Sequence, residues 1–489
     1  MDNEVVRFCI LYFFIMKQTK IVATLGLASD KKEILRDMIL SGMNVARINF
    51  SHAKHDWCRE VVTVLRELSD ELGTPVAVLG DLQGPRIRTE VSFPLSFKQG
   101  FILTVADLSE RNRFSAEDQV VFLDTPGLVE RLKAGERILI DDGLVELEVT
   151  EGEQRIVKAI AKNDGTIKPR KGVILPDTMI DLPILSEKDI ADLAFILELG
   201  IEYVGLSFVG SAHDIAMVQA KMKELAPMRP TYPKLCAKIE RKAALGELRQ
   251  IIEASDAVMV ARGDLGIEMP ESEVVLLQKQ IIAESLKAMR PVIVATQMMQ
   301  SMVANPRPTR AEVSDVSNAV IDHTDAVMLS EESATGKYPV ETIATMREII
   351  EKTEESPYND LYQALDLNTY TEYAVMIRSV YELSQSFNAK AILVLSMSGF
   401  TARLLSHFRP DATIYVATNE LATWKELALV WGVQPYLFHD DRDLDSMIER
   451  LIERLKSESR LESGDQVTVF FGRTPESDTM RLVGMRTIR

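Results

Sequence analysis

Polar and charged residues stand where apolar runs stop. Lys234-Leu235-Cys236-Ala237-Lys238-Ile239-Glu240 ends on a lysine and a glutamate, and Asp264 follows the run Asp256 to Ala261. Thr296 closes Pro291 to Thr296, Arg47 and Asn49 close Asn44 to Phe50, and Asp81, with Arg86 and Arg88 beyond it, closes Pro75 to Asp81. Two nearby carboxylates suit a hard divalent cation such as Mg2+, which takes oxygen ligands. A lysine beside it would neutralise negative charge that develops during reaction, and arginine forks match phosphate and carboxylate oxygens. Gly263 and Gly266 flank Asp264 and let a ligand approach the backbone. The set implies phosphoryl transfer or enolate chemistry on a small phosphorylated acid. The plainer reading of each residue alone is a structural ion pair.

Strand ends must bring such residues together. Eight short Val- and Ile-rich runs recur: Lys20–Leu25, Asn44–Phe50, Pro75–Asp81, Tyr203–Phe208, Lys234–Glu240, Asp256–Ala261, Pro291–Thr296 and Asp325–Leu329. Near-continuous apolar strands alternating with helical patterns predict a parallel sheet, and eight units predict a closed (β/α)8 barrel, with a doubly wound open sheet as the alternative. Carboxyl ends of barrel strands face the active site. Helices are predicted at Asp30–Leu40 behind a Ser29 cap, at His55–Leu72, at Ala243–Ala254 and at Glu273–Met289, the last with Val275 and Leu276 in its apolar stripe. Between 91 and 171 helical stripes are scarce. Strand-like runs and the turn Asp141-Asp142-Gly143 predict a small β-domain inserted as a lid. The barrel is expected over 16–90 and 172–355. A third α/β domain over 356–489 includes a strand at Asn388–Leu395, a helix at Ala402–His407 and further strands at Thr413–Ala417 and Gln466–Phe471.

Composition removes some classes. With 56 basic and 73 acidic residues the net charge is −17, which argues against a nucleic-acid partner. Cys9, Cys58 and Cys236 show neither disulfide nor zinc spacing and fit a reducing cytoplasm. The apolar run Phe8–Met16 is too short to span a membrane and lacks the basic start of a signal peptide. Residues 1–15 are therefore expected to be an upstream extension, with Met16 as the start. No Ser-His-Asp order and no glycine-rich phosphate loop stands out. Ser396-Met397-Ser398-Gly399-Phe400-Thr401 opens a helix with hydroxyls and a glycine; it fits a phosphate-type effector at Ser396, Ser398, Gly399 and Thr401, or an ordinary cap.

The segments Thr19–Gly26, Gly42–His52, Lys238-Ile239-Glu240, Met259–Gly266, Ala295-Thr296-Gln297-Met298 and Pro306–Glu312, in this order, resemble the pyruvate kinase family, and the likeness runs from Thr19 to the carboxyl end. The resemblance implies a barrel, an inserted lid and a regulatory carboxyl-terminal domain, in a cytoplasmic homotetramer that moves phosphate from phosphoenolpyruvate to ADP, giving pyruvate and ATP. It implies Glu240 and Asp264 as ligands of Mg2+ (or Mn2+), and Lys238 as stabiliser of the phosphoryl group in flight. Arg47 would hold the substrate phosphate, and Thr296 with the Gly263 and Asp264 backbone its carboxylate. Arg88 and Lys171, with Asn49 and His52, would face the nucleotide phosphates. Thr296 acting through water is the candidate for enolate protonation. The rival is another metal-dependent barrel acting on pyruvate or oxaloacetate, a lyase or aldolase, which needs neither lid nor nucleotide residues.

Departures from the family pattern carry expectations of their own. Its monovalent-cation site would use Asn49, Ser51, Asp81 and the carbonyl of residue 82, which here is Leu82 where threonine is usual. Arg86 stands where potassium-dependent members carry glutamate, so activity without K+ is expected. Ser330-Glu331-Glu332-Ser333 adds a carboxylate to the usual Ser-Gly-Glu-Thr, and the loop Gly472–Thr479 is short.

Overall fold

In the computed structural model the described residues are 17–115, 117–178, 182–359, 372–439, 444–471 and 482–489. The extension at 1–15 and the loop Gly472–Thr479 lie outside them.

Eight parallel strands close a barrel: Lys20–Thr24, Val45–Asn49, Ala77–Asp81, Tyr203–Leu206, Lys234–Ile239, Ala257–Ala261, Val292–Ala295 and Ala326–Leu329. Every expected run is present, and the open sheet is excluded because the first and last strands pair, Lys20 opposite Ala326. Both faces are apolar for a period-two reason. Ile21, Ala23, Ala46, Ile48, Val258, Val260, Val292 and Val294 pack outward with the helices. Val22, Val45, Ala77, Leu79, Cys236, Ala257, Met259, Ile293 and Ala326 fill the interior, joined by Ala428 and Leu429 of the carboxyl-terminal domain. The same parity carries forward along each strand. Thr24 follows Val22, Arg47 follows Val45, Asp81 follows Leu79, Ser207 follows Gly205, and Lys238 and Glu240 follow Cys236, so all six continue the interior face at the mouth.

The helix His55–Leu72 has the expected limits, with Val61, Val62, Leu65 and Leu68 buried. Others differ. Ser29 caps no helix; its hydroxyl accepts the Gly26 amide, and the helix runs Lys32–Ser41. The span 243–254 holds two helices, Lys242–Gly246 and Leu248–Ala254, parted after the glycine at Glu247, where φ is −119° and ψ 22°. The long helix is Glu271–Lys287. Its buried face carries Val274, Gln278, Ile281, Ile282, Ser285 and Leu286, which leaves Val275 and Leu276 more than half exposed.

The inserted segment is a second closed barrel of seven strands, Ile87–Glu90, Ile102–Asp107, Val120–Leu123, Arg137–Ile140, Val145–Glu153, Ile156–Ala161 and Gly172–Ile174. Pairing carries it out to 87 and 174, beyond the expected limits of 91 and 171. The third domain has a five-stranded sheet, with Ala391–Leu395 between Thr413–Thr418 and Gln466–Phe471. Its short helix is Phe400–Ser406 rather than 402–407. No helix among the described residues is long and apolar enough to cross a membrane.

Candidate active site

The interior face ends at the mouth in an interlocked polar cluster. Arg47 donates from Nε and Nη2 to Asp81 Oδ2 at 2.8 and 2.6 Å, and from Nη1 to Thr24 Oγ1 at 2.9 Å. Lys238 Nζ lies 2.7 Å from Glu240 Oε1 and 3.3 Å from Asp81 Oδ1, and donates to Ser207 Oγ at 2.7 Å. The other Glu240 oxygen accepts the Phe208 amide at 2.8 Å. Ser207 in turn donates to the Leu82 carbonyl at 2.9 Å. Asp81, Lys238 and Glu240 are all buried.

Burial works against the Lys238 ammonium, yet Asp81 and Glu240 hold its pKa above the ordinary lysine value. Asp81 also suffers burial, but Lys238 and Arg47 hold its carboxyl below the usual range. Glu240 goes the other way. Burial, with the Asp264 charge adding to it and Lys238 opposing, pushes it up to about 7. Glu240 and Asp264, at the ends of adjacent strands, thus feel one another's charge, an arrangement that a shared cation would relieve.

That is the test of a divalent ion against these residues, and they fit. The donors are carboxylate oxygens, and Asp264 stands in the first turn of the short helix Arg262–Glu268, just past the end of the sixth strand. No group of three or more acidic, histidine or cysteine ligands occurs among the described residues. Mg2+ tolerates this, since it commonly takes one or two carboxylates and completes its shell with water and substrate oxygens.

Two strands along from Lys238 the backbone is strained. Thr296 has φ 69° and Gln297 φ 54°, and a positive φ is most unusual for the β-branched Thr296. Thr296 Oγ1 accepts the Gly263 amide at 2.8 Å and donates to the Ala295 carbonyl at 2.6 Å. Arg262 holds the Thr296 carbonyl at 2.6 Å while pairing with Asp315 at 2.7 Å. Gly263, Asp264 and Thr296 are therefore neighbours. Phe208, whose amide meets Glu240, also has a positive φ of 62°.

The remaining expected residues fall into three places. Asn49 Oδ1 accepts the Ser51 amide, and His52 lies in the same turn after the second strand. Arg88 and Lys171 belong to the second barrel: Arg88 donates to the Arg170 carbonyl, and Lys171 Nζ meets Asp141 Oδ1 at 2.8 Å. Arg86 is exposed, and Leu82 is buried under Ser207. In the third domain Ser396 and Thr401 are buried, Ser398 is exposed, and Gly399, at φ 70°, caps a helix of seven residues. Glu332 is buried and accepts the Ser330 and Met299 amides, whereas the added Glu331 is exposed and meets Gln300. Cys58 and Cys236 are buried free thiols. Sequence reasoning did not single out Thr24, Ser207 or Arg262; for the first two, parity with Val22 and Gly205 was the available signal.

A parallel eight-stranded barrel with carboxylates, a lysine and an arginine at the carboxyl ends of its strands defines a metal-assisted enzyme of the barrel class. Two family profiles match the chain, "Pyruvate kinase, barrel domain" over residues 16–343 and "Pyruvate kinase, alpha/beta domain" over 374–483. "Pyruvate kinase 2" of Synechocystis sp. is 37% identical over 467 residues, covering 93% of this chain and 76% of that protein. "Pyruvate kinase" of Staphylococcus aureus strain USA300 is 35% identical over 473 residues, covering 95% and 79%. The chain belongs to the pyruvate kinase family.

Proposed function

We propose that the chain transfers the phosphoryl group of phosphoenolpyruvate to ADP, giving pyruvate and ATP, the last step of glycolysis. Family membership supports the reaction, and the Arg47–Asp81–Lys238–Glu240 cluster is the observation that supports the roles. The family works with a divalent metal; here Glu240 and Asp264 would hold Mg2+ or Mn2+, which when bound draws charge from substrate oxygens.

Arg47 binds the phosphate of phosphoenolpyruvate, and Asp81 and Thr24 hold its guanidinium in place. Thr296, with the Gly263 and Asp264 backbone, takes the carboxylate end. As the bond from phosphorus to the enol oxygen breaks and a bond to the terminal ADP oxygen forms, Lys238 neutralises the moving charge, kept protonated by its two carboxylates. The enolate left behind takes a proton to become pyruvate, with Thr296 acting through water. Arg88, Lys171, Asn49 and His52 face the nucleotide phosphates.

Activity without K+ is part of this reading. Arg86 supplies a guanidinium where a cation ligand is usual, and Asn49, Ser51, Asp81 and the Leu82 carbonyl are left as a doubtful monovalent site. Asp81 already has both its charged neighbours, Arg47 and Lys238. The enzyme is expected to be a cytoplasmic homotetramer, with Val275 and Leu276 available for subunit contact, and to take a phosphorylated effector in the third domain. An assay with phosphoenolpyruvate and Mg2+ checks the reaction: pyruvate is expected only when ADP is present, and pyruvate without ADP would point to a different barrel enzyme. In sodium-free buffer the rate is expected to stay level on adding K+; a large rise would overturn the potassium reading.

A further inference from the structure

The lid carries a row of cations on one loop, and a single buried side chain fixes that loop. Thr89 is fully buried. Its hydroxyl donates to the Lys168 carbonyl at 2.8 Å and accepts the Lys171 amide at 2.9 Å. Its backbone amide donates to the Lys171 carbonyl at 2.8 Å, and its carbonyl accepts the Arg170 amide at 2.6 Å. Arg170 is held at φ 60°, and its own carbonyl accepts a bond from Arg88. Arg88, Arg170 and Lys171 thus share one lip of the second barrel, held by these backbone bonds and by the Asp124 carboxylate, which accepts the Arg88 amide at 2.8 Å.

Asp141 pairs with the Lys171 side chain on this lip. Asp141 Oδ1 lies 2.8 Å from Lys171 Nζ, with both side chains about a third exposed. The two are locked in register, because the Asp141 amide donates to the Gly172 carbonyl. Asp141 begins the turn Asp141-Asp142-Gly143, where all three residues have positive φ. The turn rests on the catalytic barrel: a Cβ on Gly143 would sit 3.5 Å from Ile267. Ile267 lies on the same short helix as Asp264, so the turn adjoins the Asp264 side of the mouth.

We propose that Asp141 is an internal counter-ion for Lys171 which the nucleotide's phosphates must displace, so that Asp141 sets nucleotide affinity. The inference rests on the reading that Lys171 faces the nucleotide. A carboxylate presents the same kind of oxygen to the ammonium as a phosphate does, at a comparable hydrogen-bond length. Because the pair is partly exposed, breaking it requires little energy, and a diphosphate brings more charge to a lip that already holds Arg88 and Arg170. Ligands with fewer anionic oxygens compete less well for Lys171, so the pair discriminates against them.

Two substitutions remove the charge and keep the backbone, since asparagine and glycine both accept positive φ. In Asp141→Asn and Asp141→Gly, the dissociation constant for ADP with Mg2+, measured by calorimetry on the full chain, is expected to fall about two- to fivefold. The KM for phosphoenolpyruvate should stay within error, a split that a general loosening of the lid would not produce. Lys171→Met is expected to weaken ADP about fivefold or more, and adding Asp141→Asn to it should change nothing further. Unchanged or weaker ADP binding in both Asp141 variants, with Lys171→Met still impaired, overturns the counter-ion role alone. Unchanged ADP binding in Lys171→Met overturns the assignment of Lys171 to the nucleotide as well.

Discussion

The two ends of the main barrel are built from the same strands and put to opposite use. At the amino-terminal end the interior face is covered. Ala428 and Leu429 plug it, Tyr203 reaches the Glu426 carbonyl, and Lys20 Nζ donates to the Val433 carbonyl at 2.7 Å. Asp325, fully buried, accepts the Val292 amide and pairs with Arg409, which also donates to the His323 carbonyl and lies 4.8 Å from the centre of the Trp431 ring. At the mouth, two cations, Arg47 and Lys238, face three carboxylates, Asp81, Glu240 and Asp264, and Phe208, Thr296 and Gln297 hold positive φ. One end pairs its charges with another domain; the other keeps an excess of negative charge and strained backbone. Such imbalance lowers stability and persists where a ligand completes it. Polar residues at the covered end should therefore matter for folding, and those at the mouth for turnover.

Two substitutions set these ends against each other. Asp325→Ala leaves Arg409 buried without its partner and the Val292 amide unbonded. It should lower unfolding free energy by about 3–5 kcal/mol in urea titrations, with turnover per folded molecule nearly unchanged. Lys238→Met should cut kcat roughly 10²-fold or more, about 2.7 kcal/mol of transition-state stabilisation, while far-ultraviolet circular dichroism still shows the fold. Were Asp325→Ala to reduce turnover as far as Lys238→Met does, the ends could not be assigned separate work. Unchanged turnover in Lys238→Met would remove that lysine from the chemistry.

The comparison also explains what could be read before any coordinates. Strand positions in the main barrel were legible to within a residue or two, because parallel strands buried on both faces write continuous Val and Ile runs. Lys238 and Glu240 stood out because charge at the end of such a run is costly unless used. Thr24 and Ser207 share the interior parity of Arg47 and Lys238, yet a hydroxyl within an apolar run also reads as an ordinary satisfied side chain. Thr89 was harder still, since its four bonds go to a loop about eighty residues away in sequence. The exposed Val275 and Leu276 show the reverse error: both fit a helical stripe, but Val274 and Gln278 define the buried face.

The smallest effect tests whether the covered end is as closed as its pairing indicates. His407 is fully buried there, and burial pulls its pKa from an ordinary 6.5 down to about 4; nearby Asp325 opposes the shift, and Arg409 and Arg290 add to it. The unfolded chain therefore takes up a proton below about pH 6.5 that the folded chain refuses until about pH 4. The stabilisation is complete above 6.5 and is lost as the pH falls through this window. Between about pH 7.5 and 5 the wild-type chain should lose roughly 2 kcal/mol more than His407→Gln, measured as the difference between their urea midpoints converted with a common slope. Other carboxylates titrate in the same range, but they are common to both chains and cancel. Equal losses would mean that the ring meets water or a proton in the folded state, and the seam beneath the barrel would then be as open to solvent as the mouth above it.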